Sequence, residues 1–277
     1  MSLFDEPKVD AHCHLLDPAR FAYAPDVAYR PSGQEIGTLE QYLQVMDAYG
    51  IAHSLLVGPN SGYGLDNRCM LDALARHPDR FRGVAVVRND ISREELLRLK
   101  EAGVVGVAFN ATVLGVDHYL QAGALLRHLA DLDLFVSMQV ENDLLLSLGP
   151  FLAQSGVRIV FDHCGRPDSG AGVEQPGFQA LLALARTGRV AVKLSGYQKF
   201  SRQVTPYEDA QPFVRALLDA FTPDACMWAS DWPFLKSPTH LDVGPLMRQL
   251  ERLVPDAAER RRIWWDTPRR WLGLQAA

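Results

Sequence analysis

The chain has 277 residues, 48% of them hydrophobic and 22% charged, which supports a substantial core and excludes a disordered or fibrous protein. Lys and Arg total 28 against 33 Asp and Glu, a net charge of -5 with no long basic run, so a small-molecule partner is expected rather than nucleic acid or an anionic membrane. No apolar run approaches the roughly 20 residues of a membrane-spanning helix, and the opening MSLFDEPK lacks a secretion pattern, so a soluble, cytoplasmic protein is expected.

Short β-branched runs alternate with stretches of helical period. The first run covers residues 9–14. A long irregular segment, residues 17–37, follows it and reads as an active-site loop. Thr38 then opens the helix TLEQYLQVMDAYG, closed by Gly50. After a second run at 52–57, Asp66 opens NRCMLDALARHP, which Pro78 terminates. A third run at 83–87 leads to Ser92 and Glu95, an S-x-x-E capping box before LLRLKEAG, with Gly103 as the stop. Further runs at 104–109, 134–140, 158–161, 190–194 and 227–230 continue the alternation. Eight strand and helix pairs in this length predict an α/β protein, a (β/α)8 TIM barrel forming a single domain over residues 1–277. An open doubly wound sheet is the alternative, although no strand is followed by a dinucleotide or nucleotide glycine loop. Cys13, Cys69, Cys164 and Cys226 form no C-x-x-C pair and are expected to be reduced and buried.

In such a barrel the chemistry lies at the C-terminal ends of the strands. The first run ends Asp10-Ala11-His12-Cys13-His14, and the two-residue period of a strand puts both imidazoles on one face. The sixth ends FDHCGRPD, placing His163 at the same mouth with Asp162 beside it, and the eighth ends MWASDWPF, bringing Asp231 to the rim. His53, His77, His118, His128 and His240 fail this positional test and read as surface residues.

Three ordered elements, VDAHCH, FDHCGRP and WASDWPF, resemble the amidohydrolase-related barrels, in particular the branch of 2-pyrone-4,6-dicarboxylate lactonase and the sugar lactonases. YAPDVAYRPSG, SGYGLDNR, RFRGVAVV, GVVGVAFN and IWWDTPRRWLG are similar to that branch as well. The resemblance implies a hydrolase whose reacting carbonyl is surrounded by His12, His14, His163 and Asp231. It also has departures. Binuclear members carry a lysine or glutamate ending strand four and a histidine ending strand five, where this chain has Ala108 to Asn110 and Gln139 to Glu141. Dicarboxylate lactonases share a fourth-strand arginine at the place of Ala108.

Lactone hydrolysis needs an activated water, a polarised carbonyl and a proton for the leaving oxygen. With no obligatory cofactor, Asp231 takes the proton from water and returns it to the leaving group, while His12, His14 or His163 donates to the oxyanion. The alternative places one divalent zinc-like ion on His12, His14 and Asp231. Ser61, Tyr29, Tyr63 and Tyr197 are candidate hydrogen-bonding contacts, and Arg88, Lys199 and Arg202 candidate partners for a substrate carboxylate. The expected substrate is a small anionic lactone, foremost 2-pyrone-4,6-dicarboxylate or a related carboxylated or sugar lactone, acted on by a monomer or homodimer. A metal-dependent non-oxidative decarboxylase and a non-catalytic ligand-binding barrel are the competing readings.

Overall fold

Among the described residues, 3–274 of a computed structural model, eight parallel strands pair in sequence order: β1 (Lys8–Cys13), β2 (Ile51–Val57), β3 (Phe81–Ala85), β4 (Val104–Asn110), β5 (Phe135–Gln139), β6 (Ile159–Phe161), β7 (Val190–Leu194) and β8 (Cys226–Trp228). Eight longer helices follow them in turn: α1 (Leu39–Tyr49), α2 (Arg68–Arg76), α3 (Arg93–Glu101), α4 (Gly123–Asp131), α5 (Leu144–Gln154), α6 (Pro176–Leu184), α7 (Gln211–Phe221) and α8 (Val243–Leu253). This is the expected (β/α)8 barrel. Strands β1, β6, β7 and β8 are buried along their whole length, because helices cover one face and the barrel interior the other. No helix of the described residues is long and apolar enough to cross a membrane.

Local chemistry sets the element ends. Thr38 and Gln41 form a reciprocal capping box on α1, and Gly50 closes it in the left-handed region at φ 66°. Ser92 and Glu95 do the same for the start of α3. Asn67, rather than Asp66, occupies the cap position of α2, although an Asp66 carboxylate oxygen accepts from the Arg68 backbone N–H at 3.0 Å. The Asn67 side chain also pairs with both backbone groups of Val86, at 3.0 and 2.9 Å. It stands in for a neighbouring strand, which is why β3 stops two residues before the apolar run does. All four cysteines are free and buried.

The seam between β8 and β1 is closed by the loop after β8. The Asp231 N–H donates to the His12 carbonyl at 2.9 Å and the His14 N–H to the Trp232 carbonyl at 2.8 Å. Between them, a carboxylate oxygen of Asp10 accepts from the Ser230 N–H at 2.9 Å, and the other accepts from Tyr42 at 2.7 Å and from the Ser230 hydroxyl. Diverting Ser230 to Asp10 ends β8 earlier than its apolar pattern implies. At the opposite end, a π-helical turn over Arg262–Asp266 packs Ile263 and Trp264 beneath β1 and β8 as a floor.

Candidate active site

The ends of β1, β6 and β8 deliver four side chains to a common point. His12 and His14 leave β1 on one face, with Nε2 atoms 3.3 Å apart. His163 and Asp231 lie just past β6 and β8, in left-handed backbone at φ 52° and 62°, a conformation that costs a non-glycine residue about 1–2 kcal/mol. That turn aims each side chain back over the barrel axis. Gly196, in the loop after β7, lets the His163 ring approach: a Cβ there would lie 2.6 Å from the imidazole.

The convergence is tight. Oδ1 of Asp231 is 3.8 Å from His12 Nε2, 3.7 Å from His14 Nε2 and 3.6 Å from His163 Nε2. That oxygen is fully buried and has no hydrogen-bond partner among the described residues. The other carboxylate oxygen is held by Lys199 Nζ at 2.9 Å and by the Gln198 amide at 3.3 Å. Burial alone would push the Asp231 carboxyl up, but the Lys199 ammonium and the surrounding imidazoles outweigh it and hold it well below the usual range.

Partners behind the rings orient them. His14 Nδ1 lies 2.8 Å from the Val57 carbonyl, so it carries the proton and leaves the Nε2 lone pair facing Asp231 and His12. His163 Nδ1 meets the Ser195 hydroxyl at 3.0 Å. His12 Nδ1 faces Lys193 Nζ at 3.1 Å and Asp162 Oδ1 at 3.3 Å, which are themselves paired at 2.8 Å. Ser137 bonds to both members of that pair. Burial, reinforced by Lys193, lowers the His12 imidazole to about 4, and burial lowers that of His163 well below its ordinary value.

The atoms around Asp231 Oδ1 fit a divalent cation. A tetrahedral ion with bonds of about 2.0–2.1 Å separates its ligand atoms by roughly 3.3–3.4 Å, a little less than the 3.6–3.8 Å between Asp231 Oδ1 and the imidazole nitrogens. His12, His163 and Asp231 present ligand atoms within 4.8 Å of one another, with His14 alongside. Oriented imidazoles and an orphaned carboxylate oxygen are what such a site requires.

His12, His14 and His163 line a cavity of about 570 Å³. Of the candidate substrate contacts, Ser61 and Lys199 line it. Tyr29 sits near its edge, beneath Lys236, whose ammonium lies 4.5 Å from the ring centre, and its hydroxyl is bound to Glu35. Tyr63 is buried away from the cavity, accepting from the Asp17 N–H at 2.9 Å and so tethering the 17–37 segment. Tyr197 is core, with its hydroxyl 3.3 Å from the Leu194 carbonyl. Arg88 and Arg202 lie outside the lining, each drawn to a carboxylate, Asp90 and Asp168 respectively, at 2.7 Å. The Lys193–Asp162 pair and Gln198 escaped the sequence reading. A lysine within the otherwise apolar run VAVKL was the available signal.

The family model described as Amidohydrolase matches residues 9–274. The chain belongs to the amidohydrolase family. Among relatives of this amidohydrolase, a 4-sulfomuconolactone hydrolase from Rhizobium radiobacter is 34% identical over 275 residues, covering 96% of this chain and 89% of that protein. A 2-pyrone-4,6-dicarboxylate hydrolase from Comamonas testosteroni is 31% identical over 276 residues, 95% of this chain and 88% of its own. A crystal structure from Pseudomonas putida, described as a candidate 2-pyrone-4,6-dicarboxylic acid hydrolase, superposes with a TM-score of 0.86 at 30% identity, and the match covers 100% of both chains.

Proposed function

We propose that this amidohydrolase opens small anionic lactones by attack of water on the ring ester, with Asp231 as the general base. The observation that carries the proposal is Asp231 Oδ1, buried, without a hydrogen-bond partner among the described residues, and faced by the Nε2 atoms of three imidazoles that line the cavity. The relatives' names support the substrate class, since both curated proteins are called hydrolases of carboxylated or sulfonated lactone rings.

Asp231 Oδ1 accepts the proton of the attacking water, and Lys199 and Gln198 on Oδ2 keep the carboxylate from rotating away. The imidazoles of His12, His14 and His163 surround the position where carbonyl charge develops, and since the His14 proton is on Nδ1, the ring N–H that stabilises it belongs to His12 or His163. Asp231 then returns its proton to the leaving oxygen. A carboxylate held below its usual pKa is a weak base, which suits an activated ester whose leaving group is an enol. A divalent ion on His12, His163 and Asp231, with His14 alongside, would supply Lewis acidity and make the water more acidic.

Ring opening and CO2 release are to be assayed in parallel on 2-pyrone-4,6-dicarboxylate, a sulfonated muconolactone and aldonolactones, with and without chelator. Ring opening is expected. Metal-dependent CO2 release without ring opening would instead identify a decarboxylase, and ligand binding without turnover a non-catalytic barrel. Asp231→Asn is expected to lower kcat by about 10³- to 10⁴-fold while binding persists, as for other enzymes that lose a member of a cooperating catalytic set.

A further inference from the structure

The rim of the cavity is divided by charge. The loops after β6, β7 and β8 contribute Arg166, Lys199 and Lys236, whereas the half built from the ends of β2, β4 and β5 contributes Asn60, Ser61, Asn110, Thr112 and Gln139. Four members of the second half form a hydrogen-bonded chain. The Asn110 amide donates to Asn60 at 3.2 Å, the Thr112 hydroxyl donates to Asn110 at 2.7 Å, and the Gln139 amide donates to Thr112 at 3.2 Å. All four are half-buried, and no cation stands among the described residues lining that half.

The cations of the first half are unequally committed. Lys199 is paired with Asp231 at 2.9 Å and Arg166 with Glu141 at 2.9 Å. Lys236 lies over Tyr29 and, among the described residues, has no carboxylate within ion-pairing distance. One anionic group can be met by Lys236 without breaking either existing pair. An anion at the far side would face the neutral amides and hydroxyls of Asn60, Ser61, Asn110, Thr112 and Gln139, and would lose its water without gaining a cation.

We propose that this cavity is built for a ring carrying a single carboxylate or sulfonate on the β6–β8 side and neutral hydroxyl or oxo substituents facing the amide chain, so that dianionic rings are the poorer ligands. The inference rests on the lactone-hydrolase reading for the reaction, but its charge rule is tested by binding alone. Two planar rings that cannot be hydrolysed, 3-hydroxybenzoate and benzene-1,3-dicarboxylate, share one carboxylate and differ in the second substituent. Calorimetric titration of the purified protein is expected to give at least tenfold tighter binding of 3-hydroxybenzoate. Lys236→Met should weaken that binding at least fivefold, and Gln139→Lys should narrow the preference to under threefold by adding a cation to the neutral side. Asn60→Lys serves the same purpose from the loop after β2 should Gln139→Lys not fold. Equal or tighter binding of the dicarboxylate by the unsubstituted protein, or no measurable binding of either ring, overturns the charge rule. Failure to open any lactone overturns the reaction, and the two results are read from separate measurements.

Discussion

Two lysines with no solvent exposure stand at opposite ends of the barrel, and they are held in different ways. Lys8 opens β1 at the floor, where its ammonium donates to the carbonyls of Phe4 and Glu6 and lies 5.3 Å from the Trp264 ring centre. Burial pushes it down to about 8. Lys193, late in β7, is held instead by the Asp162 carboxylate, with Ser137 and His12 beside it. Burial raises the Asp162 carboxyl, but Lys193 together with His12 and His163 outweighs it, so it is held below its usual range. The floor thus satisfies a buried charge with neutral dipoles. The mouth satisfies one with an opposite charge, and that pair also faces the His12 ring of the candidate site.

Removing each lysine tests the difference. Lys193→Met leaves Asp162 buried and uncompensated, which is expected to cost about 3–5 kcal/mol in denaturant unfolding and to lower kcat through His12. Leaving stability unchanged would show that the pair is not the main support of Asp162. The mouth should also be sensitive to acid. Unfolded imidazoles take up protons near 6.5, whereas folded His12 does so at about 4. Between these values the unfolded chain binds more protons, so stability falls as pH drops, by about 2–3 kcal/mol between pH 7 and pH 4.5 from His12 alone. Unfolding midpoints at the two pH values measure it, and Lys193→Met should flatten the dependence by removing a group that disfavours protonation of His12. Gly196→Ala adds a Cβ against the His163 ring at a backbone φ of 64° and is expected to cost about 1–2 kcal/mol together with a fall in kcat. Lys8→Met should change stability by under about 1 kcal/mol, because only two carbonyls lose a donor, and should leave kcat intact.

The same contrast explains what could be read from the sequence. Strand ends are visible as places where apolar runs stop, and His12, His14, His163 and Asp231 stand at three such places. Their convergence follows once the runs are ordered into a barrel. The Lys193–Asp162 pair joins residues 31 positions apart whose contact exists only because β6 and β7 are neighbours. Nothing local in VAVKL announces its partner. Tyr63 and Tyr197 read as mouth residues from their loops, but their hydroxyls find backbone groups inside the protein. The local pairing of Arg88 was legible in Arg88-Asn89-Asp90, whereas Arg202 met Asp168 across two loops.

The seam after β8 has a consequence for how activity is lost on heating. The carbonyl of His12 and the N–H of Asp231 are hydrogen-bonded to one another, as are the N–H of His14 and the carbonyl of Trp232. Asp231 and two of the imidazoles facing it are thus clamped by the same links that hold the first and last strands together. Such a centre cannot loosen by degrees while the cylinder stays shut, so thermal inactivation and the cooperative melting of the whole chain should trace one curve.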